Sequence, residues 1–303
     1  MNTLQIRNSL LLFLAAFIWG TAFVAQSVGM DYIGPFTFGA VRSLIGSVCL
    51  IPCIFLRRKW QPKAKEPLRK EEKTELIKGG IVCGIVICVA SNLQQIALLY
   101  ASVGKSGFLT TLYIVIVPVI GIFLGKKPGK KISAAVLCAV VGLYLLCMKS
   151  GDFSLAFGDI LLLLGAVAFS IHILVIDHYT QRVDGMQLSC LQFFVSGTLS
   201  SVVMLLWERP TAAAIFTAWA SLLYVGVLSS GVAYTLQIIG QKGMNPVVAS
   251  LIMSLESVIS ALAGWLILGQ ALSRRELSGC VVMAVAIVLA QLPDKVEFQS
   301  GNC

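Results

Sequence analysis

Hydrophobic residues in this chain do not alternate with polar ones. They gather into runs of about twenty, set apart by short polar stretches. Runs long enough to cross about 30 Å of hydrocarbon, at about 1.5 Å per helical residue, fall at 9–29, 34–56, 79–100, 104–125 and 132–149. Five more follow at 157–177, 187–207, 217–240, 245–269 and 273–292. Backbone in lipid must satisfy its own hydrogen bonds, so spans of this kind are expected to be helices. A transmembrane barrel would show short alternating segments instead. The pattern therefore predicts an all-α integral membrane protein with ten transmembrane helices. The one sizeable loop, 57–78, is charged, and no stretch has the look of an extramembrane domain. The run from Ser9 is longer than a typical signal-peptide core and no small-residue cleavage site follows, so it is expected to stay as the first helix.

Composition agrees: 57% of the 303 residues are hydrophobic and 12% charged, about half the charged share of a soluble domain. The net charge of +9 does not point to nucleic acid. Thirteen of the 23 Lys and Arg sit in two short loops, nine between Arg57 and Lys78 and four between Lys126 and Lys131. Basic residues flanking apolar spans set helix orientation. With the N-terminus inside, the cytoplasmic segments hold 17 Lys and Arg and the outer loops 5, with Arg42 inside a span. That predicts cytoplasmic N- and C-termini in the cell membrane.

The chain also repeats. Shifted by 144 positions, residues 100–146 meet 244–290: Val103 falls on Val247, Gly125-Lys126 on Gly269-Gln270, and Lys130-Lys131 on Arg274-Arg275. Near the start of each half the shift is about 150, so Trp19 meets Phe169 and Arg42 meets Gln192. The expected units are 9–149 and 157–292. Each has an odd number of spans, so the second lies inverted relative to the first. Two inverted halves can exchange conformations, which favours alternating access over a pore or a receptor.

Polar residues inside the spans are the candidate chemistry. Glu256 stands near the middle of the ninth span. An ionisable side chain there costs about 2.5–3.5 kcal/mol on insertion scales, so it should face a cavity or a partner. It is the candidate substrate-binding or proton-coupling acid, against the plainer reading of a structural ion pair. Arg42 is a candidate contact for an anionic substrate or an ion-pair partner; close to a helix end it can also snorkel to the interface. His172 is mid-span and reads either as a hydrogen-bonded core residue or as a proton or substrate contact. Trp19, Gln95, Tyr113, Tyr234 and Gln237 complete the candidate lining, although such side chains also serve to hold membrane helices together. Asp159 and Asp177 fall near the ends of the sixth span and are expected at the interface. Pro118 is expected to weaken the fourth span as a hinge. Gly80 and Gly84, and Gly121 and Gly125, have the spacing that lets helices approach closely.

Other chemistry finds no support. The nine cysteines show no CxxC and no Cys/His cluster, so reduced core residues are expected and no metal. No HExxH, GxSxG, P-loop or dinucleotide fingerprint occurs. Neither an enzyme, a cofactor nor ATP-driven transport is expected.

Trp19-Gly20-Thr21-Ala22-Phe23 resembles the WG-S/T-x-F signature of the EamA family of drug/metabolite transporters. The segments Gln94–Tyr100, Gly107–Tyr113 and Val117-Pro118 are similar to the third and fourth helices of its first repeat. Leu255-Glu256-Ser257-Val258, with Gly264-Trp265 and Gly269, resembles the LEPV and GWxxLGE stretch of its second. The resemblance runs over about 9–292. It implies ten helices, cytoplasmic termini, a central cavity between the repeats, and export or exchange of amino acids or other metabolites. Ser257 stands where the family usually has Pro, implying a straighter ninth helix. Lys126 and Gln270 stand where it often has Glu. The expected function is a secondary transporter of small metabolites, with protons as candidate coupling ions. The alternatives are a multidrug exporter of lipophilic cations, with Glu256 as counter-charge, and a non-transporting membrane scaffold or sensor.

Overall fold

The computed structural model describes residues 3–60, 69–101, 103–125, 129–147, 156–269 and 273–291. Lys126, Gln270 and Cys303 lie outside them. Helices follow one another without a strand among the described residues: α1 (Thr3–Gly29), α2 (Pro35–Trp60), α3 (Lys70–Ala97), α4 (Val103–Thr111), α5 (Tyr113–Phe123), α6 (Lys130–Cys147), α7 (Phe157–Thr180) and α8 (Gly185–Trp207). After these come α9 (Ala212–Thr217), α10 (Trp219–Leu223), a wide π-helical stretch (Tyr224–Ala233), α11 (Tyr234–Gln241), α12 (Pro246–Met253), α13 (Leu255–Leu268) and α14 (Arg274–Gln291). Eight segments among the described residues are long and apolar enough to cross a membrane. Three are composite: α4 with α5, α10 through α11, and α12 with α13. Within α6 and α14 lie the shorter apolar stretches Ile132–Gly142 and Leu277–Ala286. Many large apolar side chains, such as Phe55, Phe123 and Leu205, are exposed. On a soluble protein such a surface would drive association; here it is the surface that lipid covers. The molecule is a multi-pass membrane protein.

Two spans break where their own hydroxyls compete with the backbone ladder. Thr111 Oγ1 donates to the Phe108 carbonyl at 2.8 Å, and the next residue, Leu112, separates α4 from α5. In the ninth span four serines, Ser250, Ser254, Ser257 and Ser260, each donate to the carbonyl three residues back at 2.7–2.9 Å. The break falls at Ser254. Local hydroxyl bonds of this kind bend helices. The interruption of the fourth span falls at Leu112, six residues before Pro118, which lies inside α5. The ninth span is interrupted for one residue at Ser254, within the serine run.

The principal packed pairs are α2 with α8, α6 with α14, α3 with α7 and α8, α1 with α13 and with the π stretch and α11, and α4 and α5 with α7. Gly84 permits the α3–α8 approach: a Cβ there would lie 2.6 Å from Val195 Cβ. Buried hydroxyls and amides tie the same helices. Asn92 Nδ2 donates to Ser200 Oγ at 2.9 Å, Ser47 Oγ to the Cys190 carbonyl at 2.9 Å, and Thr235 Oγ1 to Ser189 Oγ at 3.0 Å. Cys49, Cys53, Cys83, Cys88, Cys138 and Cys190 are free thiols. Asp159 caps the start of α7, pairs with Lys105 at 2.8 Å and is buried.

The α2–α8 pair is fastened at both ends. At one end Glu208, the residue after α8, accepts from Phe36 N (2.9 Å), Thr37 N (2.7 Å) and Thr37 Oγ1 (2.6 Å), satisfying first-turn donors of α2. At the other, Arg57 near the end of α2 pairs with Asp184 at 2.6 Å. Asp184 Oδ1 also accepts from Met186 N and Gln187 N, capping α8. Hydrogen bonds to a charged group contribute about 1.5–3 kcal/mol each. Glu208→Ala is therefore expected to destabilise the folded protein by about 2–4 kcal/mol, read as a lowered melting temperature in detergent. An unchanged melting temperature would mean that water replaces the cap without loss.

Candidate functional site

A cavity opens where both halves of the chain converge, with about 480 Å³ of empty space that includes its open mouth. Its walls come from α1, α2, α3, α4, α5, α7, the π stretch, α11, α12 and α13. The helix breaks put residues there. Tyr113 is the first residue of α5 and Glu256 the second of α13. They meet across the cavity, the Tyr113 hydroxyl donating to Glu256 Oε1 at 2.9 Å. Glu256 is 5% exposed and has no cation within salt-bridge distance among the described residues.

Glycines hold α13 in place. A Cβ on Gly20 would lie 2.6 Å from Ile259 Cβ and 2.8 Å from the Glu256 carbonyl oxygen, so α1 touches the backbone of the acid itself. A Cβ on Gly107 of α4 would collide with Ser260 Oγ. With no side chain in the way, α1 brings Trp19 against Tyr234, ring centroids 4.7 Å apart. Tyr234 stands at the centre of an aromatic cluster, 5.0 Å from Phe193 and 5.9 Å from His172.

Arg42 also lines the cavity and is 3% exposed. It does not snorkel, and it makes no ion pair among the described residues. Its one hydrogen bond runs from a terminal nitrogen to Gln26 Oε1 at 3.4 Å, and Nε has no partner among the described residues. His172 Nε2 faces Gln192 Oε1 at 3.0 Å, which makes that nitrogen the donor. Trp19 Nε1 and Gln237 Oε1 are buried without a hydrogen-bond partner among the described residues.

Of the residues singled out in the sequence, Trp19, Arg42, Tyr113, His172, Tyr234, Gln237 and Glu256 come together on this cavity. Gln95 does not. It is fully buried away from it, and its neighbour Gln94 lines the cavity instead, its amide donating to Thr110 Oγ1 at 3.1 Å. One residue is about 100° of helix rotation, and α3 is apolar on too many sides for its phase to be read. Phe23, Gln26 and Ser229 line the cavity as well. Gln26 carried a signal, since it is an amide within an otherwise apolar span. No group of three or more metal-ligating side chains occurs among the described residues.

The family pattern of EamA-like transporters matches residues 7–148 and again 156–292, nearly the whole chain. The chain belongs to the EamA-like transporter family. It is similar to an uncharacterized transporter of Archaeoglobus fulgidus, 28% identical over 92% of this chain and 84% of the relative. Two uncharacterized transporters of Bacillus subtilis are also similar. YoaV is 24% identical over 90% of this chain and 92% of its own length, and YwfM is 26% identical over 95% of each. A solved crystal structure of a protein superposes with a TM-score of 0.75 over 94% of this chain and 96% of its own, at 19% identity, a likeness of fold alone. This EamA-like transporter thus has a cavity within its helical bundle, lined by aromatic rings and by one arginine and one glutamate that form no ion pair with each other among the described residues.

Proposed function

We propose that the protein is a secondary transporter, an exporter or exchanger of small metabolites such as amino acids, working by alternating access across the cytoplasmic membrane. The observation that carries this reading is the cavity shared by both halves, with Glu256 and Arg42 buried on its walls. Ionisable groups at membrane depth are costly and mark substrate or ion pathways. Glu256 is the coupling or substrate-binding acid in this reading, and protons are the coupling ion.

The proposed architecture is ten membrane-crossing helices, with α6 and α14 as the fifth and tenth, in two inverted repeats over 9–149 and 157–292. Its support is the packing. Exchanging the halves turns α1 on α13 into α7 on α4 and α5, and α3 on α7 into the π stretch and α11 on α1. It also turns α3 on α8 into the π stretch on α2, and leaves α2 on α8 and α6 on α14 as they are. Such symmetry makes the inward-open and outward-open states near-equivalent in packing. The concentration of Lys and Arg in segments 57–78 and 126–131 supports cytoplasmic termini. The buried Arg42 weighs against lipophilic cations as cargo, because it repels them inside the same cavity.

The test is flux into proteoliposomes holding the purified protein, with amino acids, vitamins and quaternary cations offered in turn, with and without a pH gradient. Saturable flux of one class, enhanced by the gradient, is the expected result. Saturable flux indifferent to the gradient would remove the proton from the mechanism, and no flux for any class would overturn the transport reading.

A further inference from the structure

By their packing, the helices around the cavity form two groups. α1 lies on α11, α12 and α13, while α7 lies on α3, α4 and α5. Both groups line the cavity, and they meet beyond it at either end. Where α1 ends and α4 begins, Phe23, Val24 and Ala263 of the α1 group pack with Leu98, just past α3, and Val103 of the α7 group. These five form an apolar cluster separate from the main core, each 2–8% exposed. Phe23 also lines the cavity, so the cluster lies between the cavity and that end of the bundle. Where α7 and α11 end and α12 begins, the groups meet again. Ile173 of α7 lines the cavity, and its carbonyl accepts from Nε2 of Gln241, the last residue of α11, at 3.4 Å. Val247 of α12 belongs to the same core as Ile173. Gln241 Oε1 is buried without a hydrogen-bond partner among the described residues. Successive spans alternate in direction, so the two meeting points stand at opposite ends of the bundle.

The meeting points are also copies of each other. At a shift of 150 Phe23 falls on Ile173, at 144 Val103 falls on Val247, and at 143 Leu98 falls on Gln241. One copy is wholly apolar and the other holds an amide. Resting on the transport reading above, we propose that the two copies are the gates of the cavity and are coupled in opposition: the α1 group and the α7 group rock about the α2–α8 pair, so that parting one gate tightens the other. Exchange of the halves leaves α2 on α8 in place, which makes that pair the axis of the motion. Parting the apolar gate wets the faces of Phe23, Leu98 and Val103, and a small apolar constriction excludes water until it parts. Parting the other gate gives Gln241 Oε1 the partner it lacks.

The experiment is hydrogen–deuterium exchange of the purified full-length chain in detergent, read by mass spectrometry. Segments 20–26 and 98–101 report the apolar gate, and 170–176 and 241–249 report its copy. The variants are a matched pair, Val103→Asp and Val247→Asp, and the double variant. Each aspartate stands in the first turn of its helix, where an acid suits the helix itself, but it puts an unpaired charge into a closed gate. Such a charge shifts a balance by at least about a hundredfold, so each single variant holds its own gate open. The expected result is exchange at least about tenfold faster at the substituted gate and slower than wild type at the other. In the double variant each gate exchanges more slowly than in its own single variant, because the two cannot be open together. If an aspartate variant loses its melting transition, Val103→Thr and Val247→Thr, which conserve shape and add a hydroxyl, are put through the same cycle with a smaller amplitude expected. Exchange that is unchanged or faster at the distant gate overturns the proposal, and so do gates that respond in the double variant as they do singly. The assay needs no substrate. Opposed gates in a protein without vesicle flux would leave the proposal standing and the transport reading fallen; flux with independent gates would do the reverse.

Discussion

Replacing Glu256 by Gln is expected to flatten the response of flux to a pH gradient while leaving the protein folded. Gln keeps the shape of the side chain and can still accept the Tyr113 hydroxyl, 2.9 Å away in the native protein. What it loses is the capacity to carry a negative charge or a proton. The groups that face Glu256 across the cavity are Tyr113, Tyr234, Arg42 and His172. His172 is held by Gln192 at 3.0 Å. A charged hydrogen bond contributes about 1.5–3 kcal/mol, which is roughly 10–100-fold in affinity or flux. A drop of that size in gradient-driven uptake, with the melting temperature unchanged, is the expected outcome. If the variant keeps the wild-type dependence on the gradient, Glu256 is not the coupling residue, and His172→Gln becomes the next variant to measure.

The second large effect is on packing, and its sign makes it informative. Gly20 lies inside α1, where Ala would normally stabilise a helix by about 1 kcal/mol. Here a Cβ would lie 2.6 Å from Ile259 Cβ and 2.8 Å from the Glu256 carbonyl. Neither atom can swing aside, because one is backbone and the other is fixed to it. Gly20→Ala is therefore expected to destabilise the protein by about 1–3 kcal/mol, the cost of overpacking. It should also impair uptake, since α1 and α13 carry adjoining walls of the cavity. Thermal unfolding in detergent beside vesicle uptake checks both. A rise in melting temperature would mean that α1 stands further from α13 than the structure has it.

Much of this was legible in the sequence because the membrane makes the rule simple: a run of apolar residues long enough to cross must be helical. Eight of the spans fall, among the described residues, where hydropathy put them. The central acid was legible for a related reason, since Glu256 in the middle of such a run needs a partner or a cavity. What hydropathy cannot show is rotation. The adjacent amides Gln94 and Gln95 look alike in the sequence, and only the packing of α3 decides which one faces inward. A repeat match would have chosen correctly. Leu93-Gln94 aligns with Leu236-Gln237 at a shift of 143, and both glutamines line the cavity.

The one-residue interruptions were not legible for a different reason. Pro118 is the conspicuous helix breaker, yet the interruption falls at Leu112, after Thr111 turns its hydroxyl onto the backbone. A serine or threonine in a lipid-depth helix has no water to bond, so the nearest carbonyl becomes its acceptor. The spacing Ser250, Ser254, Ser257, Ser260 is thus a local signal for an interruption of the helix. The π stretch at Tyr224–Ala233 left no such mark beyond its glycines and serines.

The double fastening of α2 to α8 restricts how the molecule can move. Sliding one helix along the other by a single turn, about 5.4 Å, would pull Glu208 off the start of α2 and Arg57 off Asp184 in the same stroke. Rolling the two helices about their shared seam stretches neither. The pair therefore behaves like the spine of a book: the covers on either side can open and shut, but the pages cannot slip lengthwise past each other.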